Sequence, residues 1–302
     1  MLRPGGVRHA DGAQPHRLAR TADTTVRLVI DDFSGRVAVV TGAASGIGYA
    51  LAERAAALGM RLVMADIDGA ALATAAATLG ENTEVVTWVT DVSRADEVAA
   101  LADVAYGTYG AVHLLCQNAG IATGGTSWEA SEDDWRWVID VDLWSVIHGH
   151  RAFIPRMLEQ ADPSHIVNTA SMAGLMAGPG MGPYSVAKYG VVAASEVVRA
   201  ELAAAGASVG ISVLCPGFVS TDIGDSARHR QDRYPEHGSE TETEEMARRR
   251  EEVLAALAAG MDPAEVAGHV FGAVADGRFW ILTHADFNSV VEQRTKEILG
   301  SA

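Results

Sequence analysis

Cysteine is scarce in this chain, which holds two in 302 residues, Cys116 and Cys215. Each follows an apolar run, 112–115 and 211–214, and this reads as two buried thiols in a reducing compartment rather than a disulfide. No Cys/His cluster has metal-ligand spacing, so no metal is expected. No apolar run approaches the roughly 20 residues that span a bilayer. The first thirty residues lack the apolar core of a signal peptide. The expectation is therefore a cytoplasmic protein with no membrane partner. Basic residues are also in deficit: 23 Lys and Arg against 39 Asp and Glu leave a formal net charge of −16. That balance disfavours nucleic acid, whose phosphates need clustered cations. The compact basic run Arg248, Arg249 and Arg250 is flanked by Glu244, Glu245, Glu251 and Glu252, which reads as a solvated helix face with internal ion pairs. Low-complexity tracts and internal repeats are lacking too.

What is present is a 48% hydrophobic chain long enough for one large domain, or by length alone two. Residues 1–32 scatter Arg, His, Gly and Pro without periodicity and read as a flexible extension. A basic targeting arm is the alternative, interrupted by Asp11 and Asp23. From Arg36 onward, short runs rich in Val, Ile and Leu alternate with helical stretches. Strands are expected at 37–40, 61–65, 84–89, 112–116, 164–169, 210–214 and 279–283. Helices are expected at 46–58, 69–79, 94–109, 132–158 and 184–205, with Asp68 as an N-cap. Uniformly apolar strands alternating with amphipathic helices imply a parallel sheet covered on both faces. Right-handed crossovers then make a doubly wound α/β fold of about seven strands within one domain, 33–302, with its ligand at the carboxyl ends of the strands. The polar, irregular segment 217–240 breaks the alternation and reads as a lid over that ligand, with plain disorder as the alternative.

Two groups of residues carry chemistry. The turn Thr41-Gly42-Ala43-Ala44-Ser45-Gly46-Ile47-Gly48 lies between a strand and a helix. Backbone N–H groups in such a turn approach a pyrophosphate, and the helix N-terminus adds partial positive charge. Gly42 allows the tight turn, Gly46 the close approach and Gly48 the packing of helix on strand. Asp66 ends the second strand, where a carboxylate accepts hydrogen bonds from a ribose and repels a 2′-phosphate. The second group is Ser171, Tyr184 and Lys188. Tyr184 and Lys188 stand at i and i+4 and share a helix face. A tyrosine hydroxyl ordinarily titrates near pH ~10, and a neighbouring ammonium favours its phenolate. Ser171, at the carboxyl end of a strand, can hydrogen-bond a substrate oxygen and hold it near Tyr184.

In this order and separation, the glycine turn and the Ser171/Tyr184/Lys188 group resemble the compact single-domain branch of the short-chain dehydrogenase/reductase family. The resemblance runs from about Gly35 to Leu299. It implies a Rossmann fold and a proton moved by Tyr184 while a nicotinamide cofactor moves a hydride. It also implies a dinucleotide bound by the glycine turn, Ser45 and Ile47 included, and by Tyr184 and Lys188, the lysine through the nicotinamide ribose. Asp91-Val92 matches the family's adenine contact, and Gln117-Asn118-Ala119-Gly120 its Asn-Asn-Ala-Gly turn apart from Gln117. Asn118 is expected to be as much structural as ligand-binding. Pro216, Gly217, Val219 and Thr221 match the stretch that touches the nicotinamide. Phosphate-preferring relatives often carry a basic residue before the second glycine; Ser45 here, with Asp66, points to NAD(H), with NADP(H) as the alternative.

The departure that bears on chemistry is Asp142. The family commonly has an asparagine there, holding a water that links the lysine to solvent; this chain reads Val141-Asp142-Leu143. An aspartate can hold the same water, or be a tolerated change. If ionised, it offsets the field of Lys188, and Tyr184 then keeps a higher pKa. Met172, Met181 and Phe218, with Leu175 and Met176 nearby, point to an apolar pocket for a hydrophobic ketone or secondary alcohol, although several of them can pack the core instead. No arginine adjoins the motif, but the lid carries Arg228, Arg230 and Arg233, which leaves an anionic substrate open. Trp135 and Trp137 cannot face the same way, and Trp144 adds more aromatic surface to the same helix. The resemblance implies a homodimer or homotetramer. The rival readings are a non-catalytic dinucleotide-binding sensor or scaffold on the same fold, and an epimerase or dehydratase, for which the chain lacks a larger substrate domain.

Overall fold

The computed structural model describes residues 30–81, 83–236 and 244–301. Most of the expected N-terminal extension and the last part of the expected lid, 237–240, lie outside the described residues.

The described chain forms a seven-stranded parallel sheet in the order β3-β2-β1-β4-β5-β6-β7. The strands are β1 (Val37–Thr41), β2 (Arg61–Asp66), β3 (Val85–Val89), β4 (Leu114–Gln117), β5 (Ser164–Thr169), β6 (Val209–Cys215) and β7 (Trp280–Leu282). Strand order reverses between β1 and β4, and this leaves a crevice at their carboxyl ends.

The strands are apolar on both faces because each feeds two cores. In β1, Val39 points to one core and Ala38 and Val40 to the other. Leu115 and Ile166 follow Val39, while Leu114, Cys116 and Val167 follow Ala38. On the first face lie α3 (Ala95–Tyr109), α4 (Glu132–Ile139), α5 (Ser145–Glu159) and α6 (Gly182–Ala204), contributing Leu101, Trp137, Phe153 and Val191. On the other lie α1 (Gly46–Ala57), α2 (Gly69–Leu79) and α8 (Pro263–Asp276), contributing Leu51, Leu72 and Val266. Between α6 and α8 runs α7 (Glu244–Ala258), and α9 (Asn288–Ile298) closes the described chain. Both cysteines are free and buried. Asp68 caps α2, accepting the N–H groups of Ala70 and Ala71.

The structure corrects the expected helix 132–158. It is two α-helices joined by a π-helical turn, Asp140–Trp144. Periodicity shows amphipathic helix on both sides of such a turn and does not reveal the one wider turn between them. Trp137 is buried and Trp144 is exposed, stacked on His148. Within the expected irregular segment, Asp222–His229 forms 3-10 turns. No described helix is long and apolar enough to cross a membrane.

Candidate active site

After β1 the chain must turn sharply to enter α1. Gly42 does so at φ +65°, in the left-handed region, and a Cβ there would lie 2.8 Å from Ala119 Cα. Gly48 lets α1 lie directly on this turn, since its Cβ would sit 1.9 Å from the Gly42 carbonyl oxygen. Ser45 is the N-cap of α1 but makes no side-chain cap bond, so the helix begins without an internal acceptor. The Asp66 carboxylate accepts N–H groups from Ala44 and Asp68, both at 3.0 Å, and is held beside the glycine turn. An uncapped helix N-terminus over a turn closed to side chains fits a pyrophosphate, and the adjoining carboxylate fits a ribose.

Past β4, Asn118 is a tie between strands. Its N–H donates to Thr41 Oγ1 at 3.0 Å, its amide donates to the Thr41 carbonyl, and its side-chain oxygen accepts from Thr169 Oγ1. Ala119 N–H also reaches Thr41 Oγ1. Gln117, the departure in this turn, donates to Asn168 Oδ1 at 2.8 Å, and Asn168 in turn meets Ser195 and His150. A Cβ on Gly149 would strike Gln117 Oε1, so glycine there leaves room for the longer amide.

Lys188 lies one turn beyond Tyr184 on α6, with its Nζ 5.4 Å from the Tyr184 ring centre. The lysine is 2% exposed. It donates to the Thr169 carbonyl at 3.2 Å and stands 3.2 Å from Asp142 Oδ2. The other carboxylate oxygen of Asp142 accepts the Ile121 N–H at 2.8 Å. Gly120 faces this pair, and a Cβ there would lie 3.3 Å from Lys188 Nζ and 3.4 Å from Asp142 Oδ1. Ser171 follows β5, caps the short turn Met172–Gly174 by accepting Ala173 N–H at 3.1 Å, and points its hydroxyl toward the Pro216 carbonyl.

These groups shift one another. Burial pushes the Tyr184 hydroxyl above its ordinary range; Lys188 draws it down, Asp142 pushes it up, and the Ser171 hydroxyl draws it down. Burial works against the charge of Lys188, but Asp142 and Tyr184 outweigh it and the ammonium is held above the usual lysine range. Burial also raises Asp142, with Lys188 and the Ile121 N–H opposing.

The segment after β6 crosses the open side of the crevice. Gly217 N–H donates to His284 Nδ1 at 3.1 Å, and His284 Nε2 meets the Phe218 carbonyl at 3.0 Å. Val219 is buried and bridges Met261. Thr221 lies against the glycine turn, where a Gly46 Cβ would come within 2.9 Å of Thr221 Cγ2. Further on, Ser226 Oγ accepts Ala122 N–H at 3.1 Å, Arg230 pairs with Asp134 at 2.6 Å, and Tyr234 donates to Asp140 at 2.8 Å. Arg233 reaches Asp91 Oδ2 at 2.5 Å, while Asp91 Oδ1 accepts from Ser93. Val92 is buried beside it. Arg228 donates to the Asp222 and Asp225 carbonyls. The three arginines of the expected lid are thus engaged with the protein itself.

Of the residues expected in the substrate pocket, Met172 packs into the core, whereas Met181 and Phe218 are 39% and 40% exposed. A cleft of about 550 Å³ opens beside the α1 N-terminus, lined by Gly46, Tyr49, Thr221 and Leu257 among others. It reaches the glycine turn but not Ser171 or Tyr184. Sequence reasoning missed His284, the π turn that carries Asp142, and the approach of α7 to the segment after β6, where a Gly224 Cβ would lie 2.5 Å from the Leu254 side chain. The histidine directly after the last apolar strand was the available signal for His284.

Residues 36–232 match the family model described as short chain dehydrogenase. The chain belongs to the short-chain dehydrogenase family. A CLA biosynthesis dehydrogenase/reductase from Lactiplantibacillus plantarum is similar to this family member, at 35% identity over 89% of this chain and 94% of the relative. So is 1-deoxy-11-beta-hydroxypentalenate dehydrogenase from Streptomyces avermitilis, at 43% identity over 62% and 69%. Among solved structures, a short chain dehydrogenase/reductase from Burkholderia phymatum in complex with NAD superposes with a TM-score of 0.86 at 43% identity, over 89% of this chain and 96% of that one. This short-chain dehydrogenase is an oxidoreductase of the alcohol/ketone type with a Rossmann fold.

Proposed function

We propose that this short-chain dehydrogenase interconverts a hydrophobic secondary alcohol and its ketone with NAD(H), using Tyr184 as general acid/base. The observation that carries the proposal is the contact of the buried Lys188 ammonium with the face of Tyr184, at the crevice where the glycine turn and Asp66 also meet. Gly42, Ser45, Gly46, Ile47 and Gly48 would hold the pyrophosphate, Asp66 the adenosine ribose, and Asp91 and Val92 the adenine. Asn118, Ala119 and Gly120 would line the cofactor cleft. Lys188 and Tyr184 would meet the nicotinamide ribose, and Pro216, Gly217, Val219 and Thr221 the nicotinamide. Once bound, the nicotinamide supplies or accepts the hydride. The NAD complex of the Burkholderia phymatum relative supports this choice, as does the Asp66 carboxylate, which repels a 2′-phosphate.

Ser171 directs a hydroxyl into the same region and orients the substrate oxygen. In reduction, Tyr184 gives its proton to that oxygen as the carbon receives hydride; in oxidation, the phenolate takes the alcohol proton. Lys188 supplies positive charge beside the ring. Met181 and Phe218, both exposed, favour an apolar substrate. The relative named for 1-deoxy-11-beta-hydroxypentalenate, a hydroxylated substrate, supports the alcohol part of that class. The segment 217–240 acts as the substrate lid.

The test is reduction of NAD⁺ and NADP⁺ followed by absorbance across a panel of hydrophobic secondary alcohols. Tyr184→Phe is expected to lower turnover by about a hundred- to ten-thousand-fold while NADH still binds. A folded, NADH-binding protein with no turnover on any alcohol would instead favour the sensor reading.

A further inference from the structure

Where the family resemblance implies a neutral asparagine, this chain places the Asp142 carboxylate against Lys188. Asp142 is 1% exposed, with Ile121 N–H on one oxygen and the Lys188 ammonium on the other. Both partners are donors, so a protonated carboxyl would have no acceptor there for its own hydrogen, and the geometry is that of an ionised group. The π turn Asp140–Trp144 carries Asp142 between α4 and α5, and Gly120 leaves the space in which the two side chains meet.

We propose that Asp142 is a positioning residue that clamps Lys188 and cancels much of its field at Tyr184, so that the tyrosine stays in its proton-donating form at neutral pH. The inference rests on the reading of Tyr184 as the general acid/base. A lone ammonium beside the ring favours phenolate. An ammonium with a carboxylate 3.2 Å away presents a dipole, whose influence falls off faster than that of a charge. The pair also fixes the ammonium itself: it donates to the Thr169 carbonyl and stands 3.2 Å from the Asp142 carboxylate, which leaves donor capacity for a ribose hydroxyl.

The groups around Tyr184 come from each packed element. Lys188 lies on its own helix, Asp142 on the π turn, Ser171 on the turn after β5 and Cys215 at the end of β6. Burial pushes the Cys215 thiol up to about 12, so it stays neutral. The other charges on or near the π turn are committed elsewhere: Asp140 accepts from Tyr234, and Asp134 pairs with Arg230. Asp142 is therefore the anion that answers Lys188.

The experiment is a titration of Tyr184 in the cofactor-free chain, read as phenolate absorbance. Tyr184→Phe is subtracted in each background to isolate one tyrosine among six. Asp142→Asn keeps an acceptor for Ile121 N–H and removes the charge. Its Tyr184 midpoint is expected about one pH unit or more below that of the parent chain. The acid limb of kcat/KM for alcohol oxidation is expected to move down with it, which is about a tenfold gain in rate at a fixed pH on that limb. Asp142→Glu retains the charge and is expected to keep the parent midpoint; Asp142→Ser serves as the second neutral variant should the asparagine chain fail to fold. An unmoved midpoint in the neutral variants, or a lower kcat with the limb in place, would overturn the proposal and leave Asp142 a packing residue. If no alcohol is turned over, the activity reading fails, yet the absorbance titration still decides the role of Asp142.

Discussion

Lysine occurs twice in the sequence, as Lys188 and Lys296. Lys296 sits on the surface paired with Glu292, while Lys188 is buried in the site. The other cationic side chains that make ion pairs among the described residues are arginines or histidines. The choice at 188 has a physical reason. A slender stem ending in three rotatable donors can reach Asp142 and Thr169 in a space bounded by Gly120, where a planar guanidinium would not fit the same partners. Gly48 shows the same economy of space. Gly48→Ala would press a methyl group onto the Gly42 carbonyl and the Asn118 amide. The expected result is a loss of about 1–3 kcal/mol of stability together with weaker NADH binding. Thermal melting with and without NADH reads both.

Among the elements, the segment after β6, proposed above as a lid, differs most from the strands. Apart from the buried Val219 and the Tyr234 ring, it is held by polar latches: Arg230 to Asp134, Tyr234 to Asp140, and Arg233 to Asp91. The last joins the lid to the residue expected to meet adenine, so lid position and the adenine end of the cleft share one carboxylate. Arg233 is partly exposed, which limits the strength of the pair in water. Arg233→Ala is expected to raise KM for NAD⁺ several-fold and leave the melting temperature nearly unchanged, because few buried contacts are lost. Steady-state kinetics beside a melting curve separates the two effects; an unchanged KM would detach the lid from the adenine end. In α6, by contrast, position is set by packing: Ala187 and Val191 face the core and so fix where Tyr184 and Lys188 emerge.

At the scale of the molecule, acid is the expected weakness. Burial holds His150 and His165 down to about 4. Unfolded histidine takes up its proton near pH ~6.5. Above that value neither state binds the proton and stability is whole. As pH falls from about 6.5 toward 4, the unfolded chain gains protons that the folded chain refuses, and each such histidine costs about 1.4 kcal/mol per pH unit. The melting temperature should therefore drop between pH 7 and pH 5. His165→Gln, which cannot titrate, is expected to flatten that slope relative to the parent chain, and an equal slope in both would move the acid sensitivity to other groups.

The strands, the glycine turn and the Tyr184/Lys188 spacing were legible in the sequence because each is local. A buried parallel strand needs a short apolar run, a tight turn needs glycine at Gly42, and a shared helix face needs a separation of four. Asp66 was legible for the same reason, since it ends an apolar strand. The departure at Asp142 and its bearing on Lys188 could be read in the sequence through the family resemblance, but not the direct pairing at 3.2 Å. Lys188 comes to it only when α6 packs against the π turn, and that turn leaves no mark on the apolar period. The lid latches pair Asp91 with Arg233, 142 residues apart, and His284 meets Gly217 across 67. Polar residues on irregular segments have many possible partners in a sequence. Only the folded sheet, by bringing its strand ends to one crevice, selects among them.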